Sequence, residues 1–234
     1  MLDYTINNEG YIETSLSGKL LLNTPQLNKG AAFTNEERHA FNLHGKLPAR
    51  IETLEAQADR AYMQFRSYHD SKIQQNIYLN NLHDKNQTLF YYLVKQHLSE
   101  MLPIIYTPIV GSHVKEFSRE FRQPRGIYVS YPLIDRIDEI LGNRSNPDID
   151  LIVVSDGEGV LGIGDQGVGA MDIPVAKLMV YSLFGGINPL KTLPILLDVG
   201  TNNKKLLDDP LYLGWHHERI SGSEYDEFIE TFVQ

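Results

Sequence analysis

Two side chains in this 234-residue sequence, Tyr106 and Lys177, stand where their proton chemistry should be altered. Tyr106 opens the run Tyr106-Thr107-Pro108-Ile109-Val110-Gly111. Thr107 has the side chain of an N-cap and Pro108 suits a first helical position, so a helix is expected to start here. Tyr106 then lies just outside the positive end of that helix, which favours the phenolate and makes the phenol a better proton donor. The competing reading is a hydrophobic-staple tyrosine, the commoner case in a chain with 13 tyrosines. Lys177 lies in Ile173-Pro174-Val175-Ala176-Lys177-Leu178-Met179, near the start of a second expected helix. Apolar neighbours and a helix N-terminus both lower a lysine pKa, as a general base near neutrality requires. Its competing reading is a lysine that snorkels from a half-buried helix.

Gly162, Gly164 and Gly167 form a G-x-G-x-x-G run, the spacing of a dinucleotide pyrophosphate loop. That chemistry needs a tight turn directly after a strand and an acid about 20 residues further on. Here Asp156-Gly157-Glu158-Gly159 intervenes after the strand-like Leu151–Ser155, and the next strand-ending acid is Asp198. Asp-Gly between apolar runs reads as a hairpin turn, with 160–163 as a returning strand. The preferred reading is a hairpin and loop packed under a helix. His216-His217-Glu218 lacks metal-ligand spacing and reads as a polar loop, and Asp208-Asp209 reads as a solvated helix end. Neither H-E-x-x-H, nor G-x-S-x-G, nor a P-loop occurs, and no complete metal site is apparent.

The elements that must position these residues fall into two regions. Residues 1 to about 30 read as an extended arm. Thr34-Asn35-Glu36-Glu37 is a capping box before a short helix that ends near Gly45. Ile51–Tyr68 is helix-like, and Asp84-Lys85-Asn86-Gln87 starts another helix whose apolar residues recur at helical spacing until Pro103 stops it. Val110, Val114, Phe117 and Phe121 line one face of the helix after Tyr106. From about 125 strands and helices alternate. Arg125–Tyr131 is β-rich and Pro132–Leu141 is a short helix with Gly142 as its C-cap. Leu151–Val154 and Leu193–Val199 are strands buried on both faces, flanking a helix over 173–184. Thr201 caps a short helix, and Ser221-Gly222-Ser223-Glu224 opens a terminal one. The fold class is therefore α/β: a helical N-terminal region (1–124) followed by a mostly parallel sheet flanked by helices (125–234).

Composition narrows the function classes. A net charge of −9 and a pI near 5.3 argue against nucleic acid and anionic membrane surfaces as partners. With no cysteine, disulfides and thiolate metal sites are excluded, which fits a cytoplasmic location. The acidic N-terminus is unlike a signal peptide, and no apolar run approaches the roughly 20 residues that span a bilayer.

At these segments the chain resembles the malic enzymes. The family's Y-T-P-x-V-G matches Tyr106 to Gly111, and D-G-E-x-x-L-G-x-G-D-x-G matches Asp156 to Gly167. I-P-x-x-K-L matches Ile173 to Leu178, D-V-G-T-x-N matches Asp198 to Asn203, and D-P-x-Y-x-G matches Asp209 to Gly214. Leu27-Asn28-Lys29-Gly30 and Ala32-Phe33-Thr34 fit the family's N-terminal stretch, so the likeness runs from about residue 25 onward and is nearest the large bacterial NAD-dependent type.

The resemblance implies oxidation of L-malate at C2 by NAD or NADP and decarboxylation to pyruvate and CO2. It implies a divalent Mn or Mg ion that polarises the C2 oxygen. It assigns the general base to Lys177 and the general acid that protonates the enolpyruvate carbon to Tyr106. It places the metal ligands and the C-terminal NAD-binding domain beyond residue 234. The chain is then a substrate-side piece of a longer enzyme, expected to be inactive alone and to form a homodimer or tetramer when whole. The glycines at 162–167 fall on the substrate side, away from the nucleotide fingerprint. Two departures bear on this. Gly159 stands where most of the family has arginine, whereas malolactic enzymes, which turn malate into lactate, tend to have glycine. Of the arginines that bind activating fumarate in some members, Arg60 matches one, but Lys85 stands in place of another. The alternatives are therefore a malolactic enzyme or a non-catalytic binding or oligomerisation domain of the same fold.

Overall fold

The computed structural model describes residues 4–7, 9 and 11–234, which form two compact units, one ending at Ile105 and the other running from Tyr106 to Gln234. The change in sequence character near residue 125 marks the onset of strands. The second unit starts earlier, because the helix after Tyr106 packs with its later elements.

In the first unit the expected extended arm is instead a two-stranded antiparallel hairpin, β1 (Tyr4–Ile6) and β2 (Ile12–Thr14), followed by a short helix α1 (Gly18–Leu22). The apolar break at Leu20–Leu22 makes that helix, with Leu21 buried. Residues 1–3, 8 and 10 of the arm lie outside the described residues. Helix α2 (Asn35–Ala40) starts at the expected capping box: Thr34 accepts from the Glu37 N–H, and the Glu37 side chain accepts from the Thr34 N–H. Four helices follow: α3 (Leu54–Arg66), α4 (Lys72–His83), α5 (Gln87–Gln96) and α6 (Leu98–Ile105). Helix α4 lacks the apolar periodicity that would reveal it, since Gln75 and Asn76 are among its buried residues; Asn76 donates to the Ile104 carbonyl. Pro103 does not stop a helix but lies inside α6, and the break falls at His97. Arg60 is paired with Glu52 at 2.8 Å.

The second unit is built on a three-stranded parallel sheet of order β3-β5-β4. Helix α7 (Ile109–Glu120) comes first, then β3 (Ile127–Ser130), α8 (Ile137–Gly142) and β4 (Leu151–Ser155). Helix α9 (Asp172–Gly185) crosses over to the central strand β5 (Thr192–Asp198), and α10 (Lys204–Leu207) and α11 (Ser223–Val233) complete the unit. Both strand pairs are parallel, with Ser130 opposite Asp198 and Ser155 opposite Leu196. The unit as a whole matches the α/β expectation.

Several local expectations are corrected. β4 is not buried on both faces: it is an edge strand whose Ile152 and Val154 are 48% and 41% exposed. Asn203, rather than Thr201, caps α10. Gly222, at φ +61°, stands at the N-cap of α11 with no side-chain cap bond, so the Ser-Gly-Ser-Glu box is not formed. The helical stretch Gly167–Gly185 is long and apolar enough to cross a bilayer by composition, contrary to the expectation that no run comes near that length. Most of it is buried within the unit, as befits a core helix that contacts β4, β5 and α7. One core cluster joins Val129, Ile195, Leu197 and Val199 of the sheet region to Ile137, Ile220 and Phe228. A second joins Val110 and Val114 of α7 to Ala176 of α9.

Candidate active site

Helices α7 and α9 pack against one another through that second cluster, with Tyr106, Ile163 and Ile173 around it. Apolar spacing on α7 dictates the contact: Val110, Val114 and Phe117 recur on one face and are buried. Phe121, expected on that face, lies just past the helix and is 37% exposed. Thr107 does not cap α7; the N-cap position is Pro108, and the Thr107–Pro108 peptide is cis. The Tyr106 carbonyl accepts from the Val110 N–H at 2.8 Å and closes the first turn, so the phenol emerges at the helix start.

The packing brings the two expected site residues together, 71 positions apart in sequence: Lys177 Nζ donates to the Tyr106 hydroxyl oxygen at 2.8 Å. Both side chains are half-buried. The bond reverses the expected direction of the lysine shift. The Tyr106 oxygen holds the Lys177 ammonium above its ordinary value, outweighing the desolvation that would lower it. The helix dipole does not rescue the expectation. α9 begins at Asp172, after a 3-10 stretch over Gly167–Met171, so Lys177 lies past the first turn, where the dipole fades. In this state the pair is an ammonium donating to a phenol. A substrate oxygen that takes the place of either partner would find a proton donor and an acceptor side by side.

Next to the pair runs the loop 156–166. The expected returning strand at 160–163 is not formed. Val160 and Gly164 exchange backbone hydrogen bonds at 3.2 and 2.9 Å across a tight turn, with Leu161 98% exposed at its tip. The turn needs left-handed backbone at Gly162 (φ +79°) and Gly164 (φ +72°), which glycine supplies at little cost. The third glycine answers to a different demand: a Cβ on Gly167 would collide with the Tyr212 hydroxyl. That hydroxyl accepts from the Val168 N–H at 3.1 Å, so the place a pyrophosphate would need is already filled by a side chain. The glycine run shapes a loop and does not cradle a dinucleotide.

The sheet's C-terminal edge holds a polar network that sequence reasoning missed. Arg219 reaches Asp165 through Nε (3.3 Å) and a terminal nitrogen (3.0 Å), and donates to the Asp156 carbonyl at 3.0 Å. Asp165 also accepts from Thr201 Oγ1 and the Asn202 N–H, both at 2.8 Å, and Asp156 accepts from the Tyr225 hydroxyl at 2.9 Å. Burial alone would raise the Asp165 carboxyl, but Arg219, the Asn202 N–H and Thr201 together carry it below its ordinary value. Asp198, at the end of β5, goes the other way. Burial raises it despite hydrogen bonds from the Trp215 and Gly200 N–H groups and Ser130. Asp165, Thr201 and Asn202 lie in the segments that carry the malic resemblance. What they do there is hold each other, and only Arg219, in an unremarkable stretch, completes the set.

The other sequence candidates make contacts of their own. His216 Nε2 lies 3.0 Å from the Tyr212 carbonyl and His217 stacks on Trp215. Asp208 is the C-cap of α10 and Asp209 binds the Leu211 N–H. Gly159 is exposed, and a Cβ there would meet nothing within 4 Å. A buried trio also escaped notice: His113 Nδ1 lies 2.6 Å from Asp172 Oδ2, and Arg125 lies 3.6 Å from Asp172 Oδ1. Its signals were a histidine on the apolar face of α7, between Val110 and Phe117, and a lone carboxylate in the apolar stretch 167–180.

Comparison with known proteins bears on the same segments. The family described as "Malic enzyme, N-terminal domain" matches residues 83–234. The NAD-dependent malic enzyme of Edwardsiella ictaluri (strain 93-146) is 55% identical over 218 residues, 93% of this chain and 38% of that protein. NAD-dependent malic enzyme 1 of Vibrio vulnificus (strain YJ016) is 55% identical over 93% of this chain and 39% of that protein. The enzyme of Psychrobacter cryohalolentis is 53% identical over the same shares. The chain thus spans under two-fifths of the length of these relatives. It belongs to the malic enzyme family and carries that family's N-terminal domain.

Proposed function

We propose that this chain is the substrate-side part of an NAD-dependent malic enzyme, which converts L-malate to pyruvate and CO2 when the protein is whole. The observation that carries the reading is the 2.8 Å contact between Lys177 and Tyr106, in a chain more than half identical to proteins of that name. Lys177, as the free amine, takes the proton of the malate hydroxyl as C2 is oxidised. Tyr106 then gives its proton to the carbon left electron-rich by loss of CO2, and the lysine ammonium beside it can reprotonate the phenolate. The Tyr106 oxygen holds the Lys177 ammonium above its ordinary value, so the lysine must give up a proton before it acts as the base.

Among the described residues no three His, Asp or Glu side chains converge as metal ligands, and the glycine run is occupied by Tyr212. In this reading Mn or Mg and the nicotinamide are held by the part of such an enzyme that this chain does not span, since it covers 38–39% of the length of its relatives. A cytoplasmic homodimer or tetramer is part of the same reading.

A malolactic enzyme is the second reading, favoured by Gly159, which stands exposed, with nothing within 4 Å of where a Cβ would be, at the position where the resemblance would put arginine. Incubation of the full-length protein with L-malate, Mn²⁺ and NAD decides between them. Pyruvate with stoichiometric NADH establishes the malic reaction. Lactate without NADH establishes the malolactic one, and no turnover of malate overturns both.

A further inference from the structure

Two cross-links join α7 to α9. One is the Tyr106–Lys177 contact. The other is the buried trio, with His113 and Asp172 side chains only 8% and 7% exposed and Arg125 17% exposed. The links run in opposite directions along the two elements: from 106 to 113 on one, from 177 back to 172 on the other. The helices are thus antiparallel here, and Asp172 precedes Lys177 by five residues, roughly 7.5 Å of helix axis. Between the links lie Val110, Ile173 and Ala176, which meet through apolar contact. Apolar contact is non-directional, whereas a 2.6 Å histidine–carboxylate bond tolerates little displacement. Asp172 is also the first residue of α9, so the trio holds that helix at its start. Arg125, two residues before β3, ties the same carboxylate to the sheet side of the unit.

We propose that His113, Asp172 and Arg125 are positioning residues whose clamp on α7 and α9 sets the distance between Tyr106 and Lys177. In its catalytic form the proposal rests on the malic reading above; as a statement about the lysine–tyrosine spacing it does not. Misplacement of reacting groups by about 1 Å costs on the order of a hundredfold in rate. The clamp therefore acts on kcat far more than on the KM for malate.

The test uses the full-length protein with His113→Ala, Asp172→Ala and the isosteric Asp172→Asn. Phe228→Leu, in the other core cluster, serves as a variant that lowers stability away from α7 and α9. Two quantities are read: kcat and KM for malate, and the pH dependence of Lys177 labelling by an amine-directed reagent with peptide mapping. The groups facing Lys177 that enter this titration are Tyr106 and Tyr181. The expected result is a kcat loss of about ten- to a hundredfold in the alanine variants with KM within about threefold. Lys177 labelling should shift toward that of an ordinary lysine, and His113→Asn, which still donates to Asp172, should restore most of both. Phe228→Leu should lower Tm and move neither. Unchanged labelling and kcat in Asp172→Ala overturns the clamp, whereas Asp172→Asn, which keeps an oxygen that accepts from His113, should retain most of both; a loss in Phe228→Leu that matches Asp172→Ala overturns it too. If the wild-type protein turns over no malate, the malic reading falls while the labelling profile still decides the spacing claim.

Discussion

The polar contacts at Asp165 and at Lys177 are built on opposite plans. Asp165 is held by Arg219, Thr201 and the N–H groups of Asn202 and Gly167, so each carboxylate oxygen has more than one partner. Lys177 has one hydrogen-bond partner among the described residues, Tyr106, and both are half-buried. A carboxylate saturated by its neighbours has no bond left for a ligand and serves the fold. An ammonium with one bond made and two N–H donors left over can receive a substrate oxygen. Saturation, more than charge or proximity, separates the Asp165 network from the Lys177–Tyr106 pair.

The comparison breaks first at Lys177. Lys177→Ala in the full-length protein should lower malate turnover by about 10³-fold, the range of a lost general base, with a change in stability under roughly 0.5 kcal/mol. NADH absorbance and thermal unfolding check both halves, and a large drop in Tm would place Lys177 on the structural side. The mirror experiment is Arg219→Ala. It leaves Asp165 and Asp156 without their buried cation and should cost about 3 kcal/mol in denaturant unfolding, since its side chain is only 4% exposed. Next, Tyr106→Phe should slow the protonation that follows decarboxylation by about 10²-fold while Tm stays put, as seen in single-turnover product analysis.

The smallest effect is one of pH. Asp165 is lowered, so the network stabilises fully above its ordinary value of 3.8 and loses that contribution as pH falls through the lower folded value. Lys177 is raised, so its bond stabilises below the ordinary 10.5 and is lost as pH rises through the higher folded value. Tm measured from acid to alkaline pH should show the acid limb flattened in Arg219→Ala and the alkaline limb flattened in Tyr106→Phe. Interchanged limbs would refute the assignment.

What could be read from the sequence follows from how local each signal is. Capping chemistry at Thr34, the crossover order β4–α9–β5 and the apolar face of α7 as far as Phe117 are set by neighbours a few residues apart, and they appear as expected. Tyr106 and Lys177 are each marked by helix position and motif resemblance, but their contact is not. Nor is the sign of the lysine shift, because it depends on a partner 71 residues away. The His113–Asp172 bond, 59 residues apart, was hidden for the same reason, and so was the role of Arg219. The strand expected at 160–163 failed locally. Gly162 and Gly164 close a turn within five residues, too short for a ladder to form.

The ring of Tyr212 couples two stretches of the chain that are far apart in sequence. It occupies the room that a side chain would need at Gly167 and also at Gly214, where a Cβ would strike the same ring. Three positions in two separate motifs therefore share one space. A side chain at either glycine requires the Tyr212 ring to move, and a smaller residue at 212 removes the acceptor for the Val168 N–H at the threshold of α9. The two motifs are sterically one unit, and a change at either is felt at the other.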